Sequence, residues 1–106
     1  MIENEQVESA LFFIRDHAGL AGKLAGAVKE AEARRKTEMA MAFLGADGTV
    51  AERTATSRVA REVTEAYIDY CEAVADYEKV KLQIKASEML IDVWRTENSN
   101  RRAGIM

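Results

Sequence analysis

The chain has 106 residues, with 15 lysines and arginines against 18 aspartates and glutamates, a net charge of −3. That length fits one domain with a modest core, and the charge supplies no global drive toward nucleic acid or an anionic membrane. Hydrophobic content of 48%, charged content of 31% and no proline point to an all-helical protein, and one cysteine excludes an intrachain disulfide and suits a reducing compartment.

The opening residues Met1-Ile2-Glu3-Asn4-Glu5-Gln6 are acidic where a signal peptide would be basic. The apolar run Ala10–Ile14 ends at Arg15, Asp16 and His17, far short of a membrane span. Both features predict a cytoplasmic protein with no membrane partner.

Residues 4–44 read as a first helical arm. Val7, Leu11 and Ile14 share one face near its start, widened by Phe12 and Phe13. The block from Gly19 to Ala27 holds three glycines, each costing about 1 kcal/mol relative to alanine inside a helix. It marks either a break near 17–19 or, through Gly22 and Gly26 one turn apart, a close backbone approach by a partner. The helix resumes through Val28, Ala31, Met39, Ala42 and Phe43. It stops at Leu44-Gly45, with Gly45 as a left-handed cap.

Residues 45–48 form a short link, and short links favour antiparallel neighbours. A hairpin folded about this link sets Lys23 beside Asp69 and Tyr70, and Lys29 beside Thr64 and Glu65. Those lysines would ease the acidic row Glu62, Glu65, Asp69, Glu72 and Asp76. The first arm would run out opposite residues 85–90.

Residues 49–97 read as one long helix. Thr49 and Glu52 form a capping box at its start, and Asn98-Ser99-Asn100 supply its stop. Its apolar pattern repeats at seven. One series is Val63, Tyr70, Tyr77, Ile84 and Ile91; the other is Val59, Ala66, Ala73, Val80, Ser87 and Trp94. A second stripe runs through Ala60, Tyr67, Cys71 and Val74, then Leu82, Ala86, Met89, Leu90 and Val93. A helix apolar around much of its girth needs cover on more than one side. Ile84, Met89, Leu90, Ile91 and Trp94 are therefore the expected oligomer interface, with Trp94 as anchor. Residues 98–106 remain as a flexible basic tail bearing Arg101 and Arg102, its final Ile105-Met106 available to dock on a neighbour.

Constellations for catalysis are missing from the sequence: one histidine, one cysteine, no metal-spaced pair and no phosphate-cradling glycine loop. His17 beside Asp16 reads as a local polar pair or a helix-break residue, and Cys71 as an inert thiol among apolar neighbours. The tyrosines follow the seam as core residues. No enzyme activity and no cofactor are expected. A basic band is the alternative signal: Arg34, Arg35 and Lys36 before the link meet Arg53, Arg58 and Arg61 after it. Six cations at one end of a hairpin could neutralise phosphates of nucleic acid, although Glu30, Glu32, Glu38, Glu52 and Glu62 stand near enough to pair with them.

Two stretches carry a resemblance: Gly48-Thr49-Val50-Ala51-Glu52-Arg53, and Ile91-Asp92-Val93-Trp94-Arg95-Thr96-Glu97-Asn98-Ser99-Asn100-Arg101-Arg102. Together they resemble small helical proteins from early gene clusters of temperate bacteriophages, over roughly the second half of the chain. The resemblance implies a phage or prophage origin, a bacterial host cytoplasm, and a DNA-metabolism setting in which a phage or host protein could be a partner. It carries over no site residues. The expectation is thus a single all-α domain, an antiparallel hairpin with one very long coiled-coil-like helix, assembled with copies of itself. It would serve as a non-enzymatic interaction module, the alternative being a nucleic-acid accessory protein.

Overall fold

A computed structural model describes residues 1–104; the proposed docking of Ile105-Met106 lies outside the described residues. The chain forms α1 (Asn4–Gly45), α2 (Val50–Val59) and α3 (Arg61–Arg102). Among the described residues there is no strand, and no helix is long and apolar enough to cross a membrane.

Each helix end has a local cause. At the start of α1 the Glu3 N–H donates to Gln6 Oε1 at 2.8 Å, a reciprocal cap made by Gln6 in the first turn. At the start of α2 the Thr49 hydroxyl accepts from the Glu52 N–H at 3.2 Å, so half of the expected capping box forms. The left-handed glycine of the link is Gly48, with φ +104°, and not Gly45, which is still the last residue of α1. A side chain at Gly48 would also run into Glu52.

The expected single helix over 49–97 is broken at one residue. Ala60 has extended backbone (φ −62°, ψ 139°); its N–H donates to the Ser57 carbonyl, and its own carbonyl accepts the first bond of α3, from Thr64. No glycine or proline announces this break. The hydroxyl-rich run Thr54-Ala55-Thr56-Ser57 weakens the ladder instead: Thr54 Oγ1 donates to Val50 O and Ser57 Oγ to Thr54 O. The compensation is tertiary, because Ser57 becomes buried and lines a groove with Met39 and Phe43 of α1.

Inserting α2 changes the pairing register. Asp69 meets Arg34, at 2.8 Å, where a simple hairpin about residues 45–48 would have brought Lys23. The seven-residue seam itself survives. Val63, Ala66, Val80 and Ile91 are buried, and Tyr70, Ala73, Tyr77, Ile84, Ser87 and Trp94 are half-buried. Val59, assigned to the same seam, is exposed, because it sits on α2 before the break.

By contact density the chain divides into two compact units, Met1–Gly22 with Glu78–Met106, and Lys23–Tyr77. In the first unit, Val7, Ala10 and Ile91 are buried together, flanked by Ile2, Ile14, Leu90 and Trp94. The N-terminal segment thus covers the end of α3 that the sequence left bare. Leu11, expected on the packed face, is half exposed, and Ala10 takes its place. Ile2 N–H donates to Glu97 Oε2 at 3.0 Å, and Trp94 Nε1–H to Asn4 Oδ1 at 3.3 Å. These contacts fix antiparallel pairing here.

The second unit holds the rest of α1, all of α2 and the start of α3. Arg34–Asp69 and the stacking of Arg35 over Tyr67, 5.0 Å to the ring centre, fix antiparallel pairing in this unit. The glycine block neither breaks α1 nor admits a close neighbour: a methyl group at Gly19, Gly22 or Gly26 would meet open space. Those glycines fall on the outward face, while Ala21, Leu24 and Val28 stay half-buried in phase with His17 and Ile14. Packing of that stripe outweighs the glycine penalties. At the other end α3 runs through Asn98-Ser99-Asn100 to Arg102, so the expected flexible tail is helical there. Asn98 continues the half-buried seam, and the stop is Gly104, with φ +73°.

An intrachain core at Ile91 has a measurable consequence. Ile91→Ala should lower unfolding free energy by about 2–3 kcal/mol in denaturant titrations at dilute protein. Met89→Ala should stay within about 0.5 kcal/mol under the same conditions; equal losses would contradict this packing.

Candidate functional site

The six cations of the expected basic band all lie in the second unit, but most are occupied. Arg34 Nη1 pairs with Asp69 at 2.8 Å, Lys36 Nζ with Glu32 at 3.4 Å and Arg61 Nε with Glu65 at 2.9 Å. The Glu65 hydrogen bond, then the charges of Glu65 and Glu62, raise the Arg61 pKa above its ordinary value. Arg35 lies over the rings of Tyr67 and Tyr70, and Arg53 donates to Gly48 O while facing the Phe43 ring. Among the described residues Arg58 has no ion pair or ring partner of this kind. A cation already matched to a carboxylate releases little when it meets a phosphate, so the band is a poorer polyanion site than its sequence suggests.

Arg58 and Lys36 do border an open groove of about 520 Å³ lined by Met39, Ala40, Phe43, Leu44, Thr54 and Ser57. It exists because α2 folds back at Ala60. Close by, Tyr67 is exposed rather than buried, and so is Cys71, which corrects the expectation of an enclosed thiol. The Tyr67 phenol titrates above its ordinary value, first through its hydrogen bond with Cys71 and then through the charge of that sulfur. His17, in the first unit, stacks on Phe13 and its Nδ1 lies 2.8 Å from the Phe13 carbonyl, a bond within its own helix. Among the described residues no group of three histidine, cysteine or acidic side chains gathers to hold a metal.

The expected interface residues separate into two sets within the first unit. Ile91 is buried and Ile84, Leu90 and Trp94 are half-buried, with Leu90, Ile91 and Trp94 packed in the cluster that holds Val7 and Ala10. Met89 alone of the five is exposed. It belongs to a stripe on the opposite face of α3: Leu82 is 62% exposed, Met89 59% and Val93 48%, with exposed Ala86 between them. Their spacings of four, three and four residues keep them on one side of the helix.

A further cluster sits at the C-terminal end of α3, where the sequence suggested an unstructured tail. Trp94, Arg95, Asn98, Arg101 and Arg102 line an open hollow of about 330 Å³. The signal that could have revealed it is Ala103-Gly104, a better helix stop than Asn98-Ser99-Asn100, which puts both arginines on the last turn.

No family model matches this chain, and no curated protein or solved structure matches it either.

Exposed Cys71 gives a direct check on this surface. A disulfide-exchange reagent should label it stoichiometrically in the native protein, at a rate within about tenfold of the unfolded chain. A native rate slower by several orders of magnitude would mean that the thiol is enclosed.

Proposed function

We propose that this chain is a non-enzymatic helical module that acts by pairing with a second copy of itself through the outward face of α3. One observation carries the reading: Leu82, Ala86, Met89 and Val93 form an exposed heptad-spaced stripe after the opposite seam has already been covered from within the chain. An uncovered apolar stripe at coiled-coil spacing has its natural partner in another such stripe.

Charge favours a copy running antiparallel. With the two-fold axis between Ser87 and Glu88, Leu82 faces the partner subunit's Val93 and Ala86 faces the partner subunit's Met89. Lys85 then flanks the partner subunit's Asp92, and the symmetry repeats that pair. Among the described residues Lys85 has no ion pair, and Asp92 has Arg95 at 3.9 Å. Isologous contact of this kind closes at a dimer. The interface expected from sequence is thereby moved from Ile84, Leu90, Ile91 and Trp94 to the far side of the same helix, with Met89 common to both.

The resemblance to temperate-phage early proteins supplies the setting of this proposal: a bacterial host cytoplasm and, as a further partner, a phage or host protein of DNA metabolism. The alternative of a nucleic-acid accessory protein using the six cations of the second unit has weaker support. Carboxylates already hold Arg34, Lys36 and Arg61.

Sedimentation equilibrium at micromolar protein should give a dimer. Leu82→Glu with Met89→Glu should give a monomer with unchanged helicity. Lys85→Glu should weaken the dimer roughly tenfold, since two symmetric pairs reverse sign, and adding Asp92→Lys should restore it. A monomeric wild-type protein would sink the reading.

A further inference from the structure

We infer that Arg95, Asn98, Arg101 and Arg102, gathered beside Trp94 on the last turns of α3, form a binding site for the phosphates of single-stranded nucleic acid. The argument begins with helix geometry. Arg95, Asn98 and Arg102 are spaced by three and four residues, and Trp94, Asn98 and Arg101 likewise, so two adjacent rows share Asn98. Arg95 and Arg102 are two turns apart, about 10 Å along the axis, which matches a short run of phosphates. Both rows line one hollow of about 330 Å³, and the row of Trp94, Asn98 and Arg101 also borders a second of about 340 Å³.

These arginines are available in a way that the cations of the second unit are not. Arg101 Nη2 reaches the Met1 sulfur at 2.7 Å, and a thioether accepts weakly and neutralises nothing. Arg95 has Asp92 at 3.9 Å, beyond ordinary hydrogen-bond length, and Arg102 has no ion pair in the described chain. Four negative groups oppose an anion here, Asp92 beside Arg95 among them. Glu97 is held by the Ile2 N–H, Glu3 borders the second hollow, and the helix end itself carries about half a negative charge. Asp92, Glu97 and Glu3 do not line the first hollow, where three guanidinium groups face the half charge of the helix end, and planar guanidinium forks match phosphate oxygens.

The indole decides between a strand and a free anion. Trp94 is half-buried, its Nε1–H donates to Asn4, and it borders both hollows, so an accessible part of the ring lies next to the cations. An aromatic surface beside arginines is the arrangement that receives an unpaired base while its phosphates are neutralised. A duplex, whose bases are stacked inward, has no use for the ring.

Trp94 is the chain's one tryptophan, so its fluorescence reports on this site. The full-length protein, titrated at low salt with an oligothymidylate of about twelve residues, should show quenching of that fluorescence. The logarithm of affinity should fall with the logarithm of salt at a slope of about −2 for three phosphate contacts. Arg95→Ala and Arg102→Ala should each weaken binding by about three- to tenfold and reduce the slope by about 0.7, while Arg102→Lys should retain most of the affinity. Arg34→Ala with Lys36→Ala should change nothing, and the Leu82→Glu, Met89→Glu protein should still bind, so this site and the dimer can fail separately. The inference is overturned if no quenching occurs at low salt, or if binding is indifferent to Arg95 and Arg102. It is equally overturned if duplex DNA, inorganic phosphate or anionic phospholipid vesicles bind and the oligothymidylate does not.

Discussion

The structure depends on a phase constraint. An α-helix presents a straight stripe to a neighbour only if its apolar residues recur at about 3.5 positions, and α3 keeps that recurrence from Val63 to Trp94. α1 answers with Val7, Ala10, Ile14, His17 and Ala21 in the first unit and with Leu24, Val28, Ala31 and Arg35 in the second, every one buried or half-buried. The residues are small or mixed in polarity, and few are deeply buried. Stability therefore comes from many modest contacts in register and not from a thick core. Local preferences yield to that register. Three glycines stay helical in α1 beside half-buried Ala21 and Leu24, and an Asn-Ser-Asn run stays helical in α3, where Asn98 is half-buried.

The one interruption, at Ala60, shows what the same constraint permits. Between Gly45 and Val63 the two long helices need not match each other, so the chain can spend ten residues on α2 and bury Ser57 against the end of α1. That local choice slides the partners of α3. It brings Arg34 rather than Lys23 to Asp69, and it divides the basic residues of the second unit among carboxylates, rings and a carbonyl. In the first unit the N-terminal residues reach the seam at Ile91 and Trp94, and so free the opposite face of α3 from any role in holding the chain together.

The two proposed surfaces use what the seam leaves over. The stripe from Leu82 to Val93 is apolar with a cation and an anion at its edge, a composition suited to another helix. The last two turns are cationic around an indole, a composition suited to a strand of phosphates and bases. They lie on successive stretches of one helix, and of their residues Trp94 also packs in the Ile91 cluster. A protein of this design could change its surface chemistry without disturbing its fold.

Much of this was legible in the residues themselves. Composition and the absence of proline determine an all-helical chain. The seven-residue period picks out the seam, down to the weak position at Ser87, and a second stripe containing Leu82, Ala86, Met89 and Val93 is visible as an excess of apolar positions. Periodicity is a property of one helix, so one sequence suffices to read it. The tertiary structure alone decided which stripe faces inward, that the helix breaks at Ala60, and that Trp94 packs beside Val7 and Ala10 while bordering a cationic hollow. Those outcomes depend on pairing between different helices, from Ser57 against Met39 and Phe43 to the bond from Trp94 to Asn4, 90 positions apart. Local propensity is blind to them: an alanine carries no mark of the break that burying Ser57 against α1 makes worthwhile.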